Sequence, residues 1–155
     1  RACNKAPHCG AHYFQRLSGP LLDRFDLCVH VEATSFTSLQ NQALGETTGD
    51  IAACVRAAQS CQSLRFSAHD GIHTNADAHG KVLTQTCALA PETIGWLHKA
   101  LDHFQLSPRG YHRMLRVART ITDLDGSDAI EKPHLSEALG FRPFPASGKS
   151  AKQAG

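Results

Sequence analysis

The hydrophobic pattern changes period once along the chain. Leu27, Val29 and Val31 alternate with Cys28, His30 and Glu32, the two-residue rhythm of a strand. No other stretch is a convincing strand. A lone strand cannot satisfy its own backbone, so the partners of its sheet are expected outside these residues. From position 47 the spacing turns helical. Thr47 with Asp50 three residues on reads as a capping box, opening a helix from about Asp50 to Phe66. Its face runs through Ile51, Val55, Ala58 and Gln62. Residues 67–80 are polar and aperiodic, which predicts a loop. A short helix is expected over Val82–Cys87, and Pro91 starts the next, with Ile94, Leu97, His98 and Leu101 at helical spacing. Ser107-Pro108 caps a strong helix to about Leu124, Asp125-Gly126-Ser127 ends it, and Pro133 opens a last helix through Leu139.

The pattern therefore predicts a mainly α protein, a helical domain over 47–141 built as a bundle of about four to five helices. An irregular segment with the orphan β-strand precedes it over 1–33, and a linker joins the two over 34–46. Ser18-Gly19-Pro20 suits a short helical turn through Arg24. Without its sheet, the 1–33 segment should pack only loosely. The tail 142–155, rich in Pro, Ser, Gly, Ala and Lys, reads as disordered.

Composition narrows the class. With 155 residues, 41% of them hydrophobic, the chain can bury a core without disulfides or metals. Its longest apolar runs, such as Ile51–Val55, fall far short of the roughly 20 residues of a membrane span. No basic-then-apolar leader is present, and the cysteines at 3, 9, 28, 54, 61 and 87 follow no framework spacing. Reduced thiols in a cytoplasmic protein without a membrane partner are the expectation. The formal charge of +2 argues neither for nor against nucleic acid, so any basic surface must come from clustering.

Such clustering occurs on the helix after Ser107. At 100° per residue, Tyr111, Met114, Ala118 and Ile121 share an arc of about 80°, and Arg109, Arg113 and Arg116 fall within about 60° on the other side. Arg119 sits at the edge of that stripe. Arg109 lies in the first turn, where free amides and the helix dipole favour an anion. The stripe reads either as a solvated face or as phosphate contacts. Arg24, between Asp23 and Asp26, reads locally as a surface ion pair.

Other chemistry is thin. His69, Asp70, His73, Asp77 and His79 gather in one loop, as flexible polar loops often do, and Cys3, His8, Cys9 and His12 match no zinc spacing. No metal site is predicted. Gly148-Lys149-Ser150 imitates the end of a phosphate loop, but Pro143 stands where its first Gly belongs.

Three segments carry a resemblance. RLSGPLLDRFDL over 16–27, LSPRGYHRMLRVARTITDLDGSDAI over 106–130 and HLSEALGFR over 134–142 resemble the magnesium-chelatase-like branch of the AAA+ ATPases, in its competence-associated, DNA branch-migration family. Matching stretches run from about Cys3 to Arg142, with a poor fit over 67–90. Relatives carry a Cys-x-Cys-Thr-Pro segment that here reads Cys3-Asn4-Lys5-Ala6-Pro7. The resemblance implies that Arg24 is an arginine finger reaching a neighbouring subunit's nucleotide and that Arg109 is a sensor-2 arginine on the lid. It implies ATP and Mg²⁺ for the full-length protein, a homo-oligomeric ring, by analogy a hexamer, and DNA as its partner. Walker A and Walker B motifs do not occur in these residues, so this stretch alone is expected to bind no cofactor and hydrolyse no ATP. The competing readings are an autonomous helical module that binds DNA phosphates through Arg113, Arg116 and Arg119, and an interaction domain whose helices dock on a protein partner.

Overall fold

A computed structural model describes residues 16–18, 21, 24–29, 31 and 45–142, apart from Gln105 and the side chains at 103 and 104. Five helices make up the described fold: α1 Thr48–Arg65, α2 Gly80–Thr86, α3 Pro91–Phe104, α4 Pro108–Leu124 and α5 Lys132–Gly140. The mainly α architecture follows the sequence pattern, and the helix boundaries fall within about two residues of those expected. Thr47 caps α1 as a capping box: its hydroxyl accepts from the Asp50 amide at 3.2 Å, and the Asp50 carboxylate accepts from the Thr47 amide at 3.3 Å. Ser107 caps α4, accepting from the Gly110 amide at 3.1 Å, with Pro108 in the first helical position.

The central helix is α4, packed against α5 and α1 and touching α2. Met114, Leu115 and Ala118 of α4 are buried with Leu97 of α3, Leu83 of α2, and Leu135, Ala138 and Leu139 of α5. Phe66, Ile72 and Ala78 extend this core into the segment between α1 and α2, so that segment is not the purely polar loop its composition predicted. Gly71 there has φ 75°, a left-handed conformation that a side chain would strain.

The α1 face departs from expectation. Ala58 and Gln62 are buried, but Ile51 and Val55 are 51% and 40% exposed. Only the carboxy-terminal half of α1 contributes buried residues.

The strand is not confirmed. Among the described residues there is no strand, and Leu27, Val29 and Val31 are exposed. Alternation marks residues fit for a sheet but does not supply the neighbouring strand. The turn ahead of them is present: the Leu21 amide donates to the Ser18 carbonyl and the Arg24 amide to the Leu21 carbonyl, both at 3.0 Å. The tail from Pro143 and the cysteine-rich start lie outside the described residues. Cys28, Cys54, Cys61 and Cys87 are free thiols. Burial pushes the Cys87 thiol up, away from nucleophilic use.

Candidate functional site

The first turn of α4 sets the site. Ser107 and Pro108 fix its start, and Arg109 follows, exposed and without an ion-pair partner among the described residues. A cation there faces the positive end of the helix dipole, which disfavours it by about 0.3–1 kcal/mol. The result is a concentrated positive potential at the helix start, suited to an anion. Next to it Gly110 is buried, and a Cβ at that position would lie 3.2 Å from Nη2 of Arg142. The glycine makes room for that guanidinium.

Against this turn lies the segment around Arg24. Arg113, one turn beyond Arg109, pairs with the Asp26 carboxylate at 2.9 Å and donates to the Arg24 carbonyl. Arg142 donates to the Phe25 carbonyl at 3.1 Å, and the Cys28 amide donates to the Phe141 carbonyl at 2.7 Å. Residues 24–28 are thus stitched to α4 and to the end of α5, where loose packing was expected. Asp26, a sequence candidate for pairing with Arg24, pairs with Arg113 instead. The Arg24 side chain is exposed and makes no ion pair among the described residues.

Beyond Arg109, the arginine stripe is tied into the fold more than its helical arc suggested. Arg113 is engaged as described, and Arg116 donates from Nε to the Ala78 carbonyl at 2.8 Å. Arg119 is 5% exposed; it pairs with Asp123 at 2.8 Å and donates to the carbonyls of Ser127 and Asp128. A guanidinium so occupied inside the fold is unavailable to DNA phosphates. Its partner Asp123 has a fully buried side chain and also pairs with Arg65 at 2.5 Å. Burial pushes the Asp123 carboxyl up. Hydrogen bonds from Arg65 and Asn75, with the Arg119 charge, outweigh that and hold it below the usual carboxylate range. The bond to Asp123 raises Arg65 in turn.

Arg65, Asn75, Asp123 and Arg142 were not among the sequence candidates. The i,i+4 spacing of Arg119 and Asp123 was a readable signal. Arg65, 58 residues from Asp123, gave none. In the histidine-rich loop, Asp77 accepts from the amides of His73 and Thr74 and from the Thr74 hydroxyl. That role is structural, and among the described residues no cluster of His, Cys, Asp or Glu could hold a metal ion. A cleft of about 430 Å³ opens beside the Asp26–Arg113 pair, lined by Leu27, Val117, Ile121 and Phe141 among others.

The chain belongs to the magnesium chelatase ChlI family: residues 45–142 match the family described as "Magnesium chelatase, subunit ChlI C-terminal", and residues 1–39 match "Magnesium chelatase, subunit ChlI". Within that family it is similar to competence protein ComM of Haemophilus influenzae, 42% identical over 131 residues, covering 84% of this chain and 25% of that protein. It is also similar to the uncharacterized protein YifB of Escherichia coli, 37% identical over 137 residues, covering 88% of this chain and 26% of that protein. The chain therefore spans about a quarter of the length of these curated relatives. No described helix is long and apolar enough to cross a membrane.

Proposed function

We propose that this chain is the lid-bearing portion of a magnesium-chelatase-type AAA+ ATPase, supplying two arginines to ATP hydrolysis in a ring that remodels DNA. Arg109 acts as sensor 2, contacting the nucleotide of its own subunit, and Arg24 acts as the finger that enters a neighbour's site. The observation that carries this reading is selective openness. Of the four arginines on α4, only Arg109 lacks a partner among the described residues, and Arg24 presents an exposed guanidinium from a fastened backbone. A nucleotide fits here through its phosphates: the Arg109 guanidinium offers a planar two-pronged ligand at a helix start that already favours an anion. In this reading Mg²⁺ accompanies the nucleotide. A guanidinium from the neighbour steadies the charge that spreads over the γ-phosphoryl group as its bond breaks. DNA as the partner of the whole ring belongs to the same proposal and rests on the resemblance of the three motif segments alone.

The test uses the full-length protein. Arg24→Ala should cut ATP turnover by ~10³ or more while leaving nucleotide affinity nearly unchanged. Rings mixed from Arg24→Ala subunits and Walker-defective subunits should regain part of the activity, because fingers and phosphate loops then meet across some interfaces. No recovery in rings shown to be mixed would mean that Arg24 does not act on a neighbour.

A further inference from the structure

We infer that Arg113 and Arg142 are positioning residues that couple the lid's own nucleotide contact to the presentation of Arg24 toward the neighbouring subunit. The inference rests on the finger and sensor roles proposed above and adds a physical connection between them.

The connection is short and made of directional contacts. Arg109 and Arg113 are one turn apart on α4, so the helix carries them as a unit. Arg113 holds the finger segment at two points, the Arg24 carbonyl and the Asp26 carboxylate. Arg142 reaches from the end of α5 to the Phe25 carbonyl between them, and its Nη2 lies close to where a Gly110 Cβ would be. The adjacent Cys28 amide is bonded to Phe141. The backbone from the Arg24 carbonyl onward is thereby fixed to the helix that bears Arg109 and to the end of α5. A movement of the α4 start toward bound phosphates moves Arg113 with it and changes where Arg24 points. Backbone carbonyls are useful anchors for this purpose, because they fix the chain while leaving the finger's own guanidinium free. The Arg113–Asp26 pair is open to solvent on its carboxylate side, with the Asp26 side chain 56% exposed, and contributes little stability by itself. Its value is geometric.

The test compares full-length variants for ATP turnover, nucleotide affinity and thermal midpoint. Asp26→Asn leaves the shape of an exposed residue and removes the ion pair. It should lower kcat by roughly 10-fold with affinity held within about twofold, as expected when a reacting group is slightly misplaced. Arg113→Met and Arg142→Gln should lower it further. The decisive measurement is non-additivity: adding Asp26→Asn to Arg24→Ala should cause no further loss, because a positioner has nothing left to position. A merely structural role would instead give additive losses and lowered midpoints. If Arg24→Ala abolishes turnover while Asp26→Asn, Arg113→Met and Arg142→Gln stay within twofold of wild type, the coupling is wrong and the finger stands. If Arg24→Ala itself leaves turnover intact, the finger reading fails and the coupling falls with it. Should Arg113→Met or Arg142→Gln not fold, Asp26→Asn and its combination with Arg24→Ala decide the question alone.

Discussion

The two ends of α4 use the same side chain in opposite ways. At the carboxy-terminal end Arg119 is buried, and with Arg65 and Asn75 it directs five N–H groups onto the single carboxylate of Asp123. At the amino-terminal end Arg109 is exposed and has no ion-pair partner among the described residues. The first arrangement is saturated. It can hold α1, the segment after it and α4 together, but it can accept no ligand. The second runs against the local helix dipole, a placement that does nothing for the fold of the chain. The contrast separates arginines that build the domain from one left available to an anion, a distinction that net charge and helical arcs do not make.

Breaking the saturated end should produce the larger change. Asp123→Ala leaves Arg65 and Arg119 facing one another in a largely buried site without a counter-charge. The expected loss is about 3–5 kcal/mol of unfolding free energy, the range for removing one partner of a buried pair. Urea denaturation of the isolated chain measures it directly. A loss under about 1 kcal/mol would show that the network is solvated and that the two ends of α4 do not differ as described.

Acid should probe the same end more gently. The folded state holds the Asp123 carboxyl below its unfolded value of about 3.9, so the folded protein binds its proton less readily than the unfolded chain does. The stabilisation it brings is therefore complete above about pH 5 and is lost as pH falls through the depressed folded value. Arg65, raised from an already high value, stays charged throughout this range. Urea midpoints followed from pH 6 to pH 3 should be level and then decline. Arg65→Met, which removes two of the carboxylate's donors, should flatten that decline. An equal acid slope in both proteins would assign the effect to other carboxylates.

Local chemistry was legible in the sequence, and long-range company was not. Thr47 and Asp50 announced the start of α1, and Ser107 with Pro108 that of α4, because a cap is written within four residues. The arc of Met114 and Ala118 correctly marked a buried face. The arginine arc did not reveal the contacts its members make, because a helical wheel states directions but not what lies in them. Around α4 lie Ala78, Asp26 and the Ser127–Asp128 backbone, and each takes up an arginine that looked free. The pattern of Leu27, Val29 and Val31 stays unconfirmed for the converse reason, since a strand needs a neighbour that the described residues do not supply. The place of Arg109 in a first helical turn was written in the local sequence, whereas the roles proposed for Arg24 and Arg109 come from resemblance to a family motif. Arg142 stood inside a recognised motif, yet its hold on Phe25 spans 117 positions and leaves no local mark.

The smallest effect on stability belongs to the open end, and there the sign matters more than the size. Arg109→Ala removes a cation from the first turn of α4 and deletes no ion pair with a described residue. The isolated chain should therefore keep its stability or gain up to about 1 kcal/mol, whereas most substitutions in an ordered helix cost stability. In the full-length protein the same change should weaken nucleotide binding by roughly 10-fold to 150-fold, equivalent to losing one charge-assisted contact of ~1.5–3 kcal/mol. The two measurements are made on one variant and must move apart. Urea unfolding of the isolated chain reports the first, and equilibrium titration of the full-length protein with a fluorescent ATP analogue reports the second. A stability loss of 2 kcal/mol or more would reveal that Arg109 is a structural residue like Arg119, and the contrast between the two ends would collapse. Unchanged stability with unchanged nucleotide affinity would leave that contrast standing but would remove Arg109 from the nucleotide site. Only a neutral or favourable change in folding, joined to weakened binding, fits an arginine placed at a helix start to meet phosphate.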